Sequence, residues 1–125
     1  MSYAPVNNSG DLVVHLHMPD ASAASTAAAA APIRGHIVRF VAAPYSNTSG
    51  TANVLALKVN GTAVTNATLT LSATGGTVSS LDMLNGTPPG DDSARVEVGN
   101  SIQVSSAGGS TGSTIAAIHV VIRNK

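Results

Sequence analysis

The sequence predicts an all-β chain, folded as one antiparallel, jelly-roll-like β-sandwich of about eight short strands. Apolar and polar residues alternate with a period of two in several segments. Turn clusters rich in Gly, Asn and Pro separate these segments at intervals of roughly ten residues. No segment has the apolar spacing of about 3.6 residues that marks an amphipathic helix. Because 125 residues suit one domain, we assign residues 1–11 to a polar N-terminal arm and residues 12–125 to a single sandwich domain.

The first strand is predicted over residues 12–18, and Pro19 ends it. Its alternation is typical of a half-buried strand, with one apolar face and one mixed face. The expected core face holds Leu12, Val14, Leu16 and Met18, and the opposite face holds Val13, His15 and His17.

Residues 21–31 form an Ala-rich segment whose conformation the sequence leaves open. Alanine is the best helix former, so a short helix is one interpretation. The segment carries no apolar stripe, lies between predicted strands and ends at Pro32. We therefore favour an extended segment that packs small side chains closely, with the short helix as the alternative.

A hairpin is the clearest local prediction in the remainder of the chain. Asn60-Gly61 separates two strand-like runs, and this dipeptide is the strongest signal for a two-residue hairpin turn. A long strand with a bulge at Gly35 is predicted before the hairpin. After the first strand, the sequence predicts further strands and one long loop. In chain order they are strands 33–43, 53–59, 62–64, 67–72 and 77–83, loop 85–92, and strands 94–98, 101–106 and 114–123.

The composition excludes several functional classes. Six basic residues balance six acidic ones, so a nucleic-acid surface, which needs clustered excess Lys and Arg, is not expected. Three aromatic residues, Tyr3, Phe40 and Tyr45, are too few for platforms that stack bases or sugars. The absence of Cys excludes disulfides and thiolate catalysis. The chain has neither an apolar leader nor a run long enough to span a membrane, so we expect synthesis in a host cytoplasm and no membrane partner.

Low charge also points to an assembled protein. Charged residues make up 10% of the chain, compared with about 25% in an average soluble domain. The mean hydropathy is +0.23. These values favour a surface that is partly covered by other subunits, whereas the alternative is a monomer kept soluble by hydroxyl and amide groups.

Histidines supply the strongest candidates for chemistry. His15 and His17 share a strand face, and a third ligand such as His119 from another strand would complete a known pattern for metal binding. The sequence places no carboxylate beside them to orient the imidazoles. We therefore predict no catalytic residue, metal, cofactor or small-molecule substrate. A metal-dependent β-barrel enzyme built on these three histidines stays as an alternative.

Several segments carry a family resemblance. The early stretch Leu16-His-Met-Pro-Asp-Ala-Ser-Ala-Ala-Ser-Thr26 precedes Ala31-Pro-Ile-Arg-Gly35, and the later stretches are 52–60, 108–114 and 118–122. This order resembles the small head-decoration (capsid-associated) proteins of tailed bacteriophages and prophages, although Ala107 stands where an acidic residue is common. The resemblance implies a β-sandwich, commonly trimeric, that binds the major capsid protein on the capsid exterior. It brings no catalytic residues.

We therefore expect a virion structural protein that decorates and stabilises a bacteriophage capsid as a homotrimer. An alternative from a different functional class is a receptor- or carbohydrate-binding β-sandwich module of a phage fibre or spike. Small side chains let backbones approach closely, which predicts a subunit-contact strip of Ala23, Ala24, Ala27, Ala28, Ala29, Ala30 and Ala31. The N-terminal arm is expected to bind the capsid through Tyr3, Pro5, Val6, Asn7 and Asn8.

Overall fold

A computed structural model describes residues 11–83 and 92–124 of the chain. Residues 1–10 of the predicted arm and most of the predicted loop 85–92 therefore lie outside the described residues. A short 3-10 helix spans Asp92–Ala94. The strands, in chain order, are β1 Asp11–Met18, β2 Ser25–Ala30, β3 Gly35–Pro44, β4 Ser49–Gly50, β5 Val54–Val59, β6 Thr62–Thr70, β7 Ser79–Asp82, β8 Arg95–Val96, β9 Ser101–Ser106, β10 Ser110–Thr111 and β11 Ala116–Asn124.

The strands form two main antiparallel sheets and one short ribbon. Sheet A has the strand order β1-β11-β3-β7, and β8 also pairs with β3. Sheet B has the order β2-β9-β5-β6, and β4 pairs with β10 in the ribbon. The predicted all-β, antiparallel sandwich is confirmed. Eight of the described strands are four residues or longer, which agrees with the expected number.

One hydrophobic core lies between the two sheets. In β1 the predicted alternation is confirmed, because Val14, Leu16 and Met18 are buried whereas His15 and His17 are exposed. The largest side chains that are fully buried come from both sheets: Phe40, Met18, Ile118 and Ile122 from sheet A, and Leu55, Leu57 and Ile102 from sheet B.

The bulge in β3 lies at Val38, so its predicted position at Gly35 was wrong. The pairing of β11 with β3 passes from Val121–Arg39 to Ile122–Ile37, which leaves Val38 as the extra residue. Gly35 serves a different purpose, since a Cβ there would lie 2.1 Å from the carbonyl oxygen of Arg123. The glycine allows close approach of another backbone, which is the other common reason for glycine in a strand.

The Asn60-Gly61 hairpin is confirmed. Both residues have positive φ, 51° and 83°, as a type I′ turn requires. The two strands predicted after the turn are one strand, β6, with a register shift between Ala56 and Lys58 of β5. Asn66 at the shift has a φ of 58°, which Asn tolerates better than most residues. The alternation of apolar and polar residues in β6 breaks at this register shift. The sequence pattern therefore predicted two strands where the structure has one.

The extended interpretation of the Ala-rich segment is confirmed for residues 25–30, whereas residues 21–24 form a turn. β2 pairs with β9 over six consecutive residues, from Ser25–Ser106 to Ala30–Ser101.

In the described part of the chain, no helix has the length and apolar character needed to cross a membrane.

Candidate interaction surfaces

Within residues 11–83 and 92–124, strand β2 lies at an edge of sheet B. Among the described residues, it pairs with β9 alone. Its six side chains are Ser, Thr and four Ala, and its pairing has no bulge. Natural sheets usually protect such an edge with Lys, Pro, a bulge or a covering segment, because an open edge can pair with another chain. We call this feature, Ser25–Ala30, the β2 edge.

The structure divides the predicted alanine strip between two faces. Ala27 and Ala31 are 5% and 2% exposed in the core of this chain, so they are not available to a second subunit. Ala29 packs against the same core. This division follows from the period-two alternation of an extended strand. The alanines left exposed on the strip are Ala23, Ala24, Ala28 and Ala30.

A carboxylate clamp positions the lead-in to β2. Asp20 Oδ1 accepts hydrogen bonds from the Ser22 backbone N–H at 3.0 Å, from the Ser22 hydroxyl and from the Thr114 N–H at 3.3 Å. Hydrogen bonds from the Ser22 side chain, and then from its backbone, lower the pKa of the Asp20 carboxyl below its ordinary value. The ionised carboxylate therefore joins the β1–β2 connection to the residues that precede β11.

A second set of contacts fixes the same connection to the glycine-rich turn. The Ser106 hydroxyl donates to the Ala21 carbonyl at 2.6 Å and accepts from the Gly108 N–H at 3.1 Å. Gly108 has a φ of 72°, and a Cβ there would lie 2.7 Å from the carbonyl carbon of Ala23. Two motifs of the family resemblance, the Pro-Asp-Ala-Ser stretch and the Gly-Gly-Ser-Thr-Gly turn, thus contact each other. The sequence alone did not show that they are partners.

The outer face of sheet A carries a histidine pair. His15 of β1 lies directly opposite His119 of β11, with ring centroids 4.4 Å apart and an interplanar angle of 79°. Partial desolvation is the main effect that lowers the pKa of the exposed His119, and the nearby charge of His15 lowers it further. Both effects favour the neutral imidazole.

The third predicted histidine stands apart from this pair. His17 is opposite Ala117 rather than another histidine, and His36 is opposite Arg123 farther along the sheet. Within residues 11–83 and 92–124, no group of three or more His, Cys, Asp or Glu side chains is arranged to hold a metal ion. The structure thus brings together two of the three candidates that the sequence named.

An ion pair secures the first residue of β1. The Asp11 carboxylate accepts two hydrogen bonds from the Arg123 guanidinium, at 2.8 Å from Nε and 3.0 Å from Nη2. This bidentate geometry raises the pKa of Arg123. Asp11, the last residue of the predicted arm, therefore belongs to β1.

The predicted capsid-binding residues Tyr3, Pro5, Val6, Asn7 and Asn8 lie outside the described residues.

Sequence reasoning missed the ribbon that joins β4 to β10, because two-residue strands give no periodic signal. This ribbon ties the segment after Pro44 to the glycine-rich turn.

Comparisons with known proteins give little further guidance. No protein-family model and no curated protein matches the chain. One solved structure that resembles it is the catalytic unit of the thermostable GH87 alpha-1,3-glucanase from Streptomyces thermodiastaticus strain HF3-3. The identity is 12% and the TM-score 0.47, over 94% of this chain and 26% of that one. The chain thus spans about a quarter of that enzyme unit's length.

Proposed function

We propose that the chain is a virion structural protein that decorates and stabilises the exterior of a bacteriophage capsid. It assembles as a homotrimer and binds the major capsid protein. The observation that carries this proposal is the β2 edge, a regular six-residue edge strand with only Ser, Thr and Ala side chains. Such an edge favours a protein that is covered by neighbours when it acts.

Side-chain size supports a contact through this edge. The exposed Ala28 and Ala30 project little from the strand, so another backbone can approach closely. They also have no long flexible side chain to order, and ordering such chains costs about 0.5–1.5 kcal/mol each on association. A contact made here therefore loses little entropy.

The clamp supports a preformed contact. Asp20, Ser106 and Gly108 fix the lead-in to β2 through contacts with residues distant in sequence. A strand held in this way need not reorganise when a partner binds, which favours affinity. Asp20 and Gly108 belong to segments that resemble head-decoration proteins, so the resemblance and the geometry support the same role.

Repetition supports persistent binding from individually weak contacts. The chain has a formal net charge of +0 and few charged groups, so long-range electrostatic attraction to a partner is small. A trimer that engages a symmetric capsid lattice at several points gains avidity without strong single contacts. The low charge of the chain is compatible with this mode of binding.

Purified virions provide the test. Quantitative mass spectrometry of virions from a host that encodes the chain is expected to find it in copy numbers comparable to those of the major capsid protein. Labelling with a specific antibody is expected to place it over the whole capsid surface. Absence from virions would contradict the proposal. Low copy number confined to a fibre or spike would contradict it as well, and would support the alternative module.

A further inference from the structure

We propose that His15 and His119 form a binding site for a divalent transition-metal cation of the zinc type. The site lies on the outer face of sheet A, where the ion would link β1 to β11. The proposal stands on the histidine geometry alone and is independent of the proposed capsid role.

Register is the first support for this site. His15 and His119 are directly opposite each other in an antiparallel pair, where Cβ atoms are about 4.5–5.5 Å apart. Their ring centroids are 4.4 Å apart. The two paired strands therefore hold both imidazoles in contact on one face, and no backbone movement is needed to bring them together.

Rotation of the rings would give ligand geometry. Zinc–nitrogen bonds of about 2.0–2.1 Å in a tetrahedral site place two ligand nitrogens about 3.4 Å apart. The rings are now in edge-to-face contact at an interplanar angle of 79°. Both residues are exposed, and the outer torsion of a histidine is broad, so the required rotation is inexpensive.

The surroundings decide which ions fit. Imidazole nitrogen suits Zn²⁺, Cu²⁺ and Ni²⁺, whereas Ca²⁺ and Mg²⁺ prefer oxygen ligands. The neighbouring positions on this face are Val13 and His17 of β1, Ala117 and Val121 of β11, and Val41 of β3. Of these, only His17 carries a ligand atom, and its register partner is Ala117. Two protein ligands would leave the remaining coordination positions of the ion to water. We therefore expect binding weaker than that of a closed four-ligand site.

Metal binding has a structural consequence at this place. β1 is an edge strand of sheet A, whereas β11 lies between β1 and β3. An ion shared by His15 and His119 would cross-link the edge strand to the interior of the sheet. Since the unfolded chain does not hold the two rings together, the ion would stabilise the native state by mass action.

The test uses the full chain and Zn²⁺ alone. Isothermal titration calorimetry and thermal unfolding are measured for the unmodified protein, His15→Gln, His119→Gln and the matched control His17→Gln. We expect Zn²⁺ to bind the unmodified protein and raise its melting temperature, with reversal by a chelator. We expect His15→Gln and His119→Gln each to weaken binding by about tenfold or more, because each removes a direct ligand. His17→Gln is expected to bind as the unmodified protein does.

Three results would overturn the assignment. They are no Zn²⁺ binding to the unmodified protein, binding by His15→Gln or His119→Gln as tight as that of the unmodified protein, and a loss of affinity in His17→Gln as large as in the other two variants. The last result would replace the pair by a three-histidine site. Circular dichroism without metal checks that each variant folds. If one variant fails this check, the other decides, because each removes a ligand of the same ion.

Discussion

Asp20 and Thr114 are 94 positions apart in sequence, yet the Asp20 carboxylate accepts the Thr114 backbone N–H at 3.3 Å. The adjacent backbone closes the same junction, because the Ala21 N–H donates to the Thr114 carbonyl at 2.8 Å. This junction joins the end of β1, the start of β2 and the approach to β11. It fixes the segment that leads into β2 against the residues that precede β11.

Asp20→Asn should weaken the fold and change its acid sensitivity. Hydrogen bonds hold the pKa of Asp20 in the folded chain below its ordinary value, so the contribution of its carboxylate to stability is fully present above the unfolded-state pKa. That contribution is lost as the pH falls through the folded-state pKa. Urea unfolding should show a lower midpoint for Asp20→Asn at neutral pH and a smaller difference from the unmodified protein near about pH 3. Glu97→Gln, which removes an exposed carboxylate, is the control. An equal difference at both pH values would contradict the clamp.

Gly108→Ala should destabilise the chain by about 1–3 kcal/mol, because it combines backbone strain with a steric clash. The residue has a φ of 72°, and its Cβ would lie 2.7 Å from backbone atoms of Ala23 and Ala24. Gly99→Ala is the matched control, since Gly99 has a φ of 88° but nothing within 4 Å of the added Cβ. The free energy of unfolding of the control should fall by about 1 kcal/mol, because Gly99→Ala introduces backbone strain without a steric clash. Equal free energies of unfolding for the two variants would show that the close approach is unimportant.

Local pattern predicted the elements that depend on local chemistry. The alternation over residues 12–18 gave β1 and its buried face, and Asn60-Gly61 gave the hairpin. The Ala-rich segment was ambiguous because alanine suits a helix by propensity and a close-packed strand by size. Packing of Ala27 and Ala31 into the core resolves that ambiguity.

Long-range pairing could not be predicted in the same way. The opposition of His15 and His119 depends on the register of β1 and β11, which are at opposite ends of the chain. A shift of one residue in that register would move every side chain to the other face. The contact between Gly108 and Ala23 likewise depends on how the turn packs, and neither segment carries a sign of its partner. The candidate surfaces therefore emerge from the tertiary fold.

Ala28→Lys should disrupt the trimer and leave the monomer fold intact. The side chain is exposed on the β2 edge, and lysine is a residue that natural edge strands use to prevent pairing. Surface changes of this kind usually alter stability by no more than about 0.5 kcal/mol. Thr68→Lys, exposed on β6 at the opposite edge of sheet B, is the matched control and should stay trimeric. Size-exclusion chromatography separates the two outcomes, and a trimer in Ala28→Lys would contradict the role of the edge.

Deletion of residues 2–10 should reduce the occupancy of the chain on capsids without dissociating the trimer. This segment has Pro5, Gly10 and no periodic apolar pattern, so it has little to bury by itself. Occupancy on capsids and trimer mass are measured separately for the deletion and the full chain. Full occupancy after deletion would reject the role of the arm and make residues 47–52 and 85–92 the next candidates.

Light scattering of the purified full-length chain at micromolar concentration tests the central claim most directly. The claim is that the β2 edge is covered by another copy of the chain. A homotrimer requires a mass of three times 12.4 kDa, independent of any capsid. A mass of 12.4 kDa under these conditions would show a monomer with a stable open edge, and would contradict the proposed assembly.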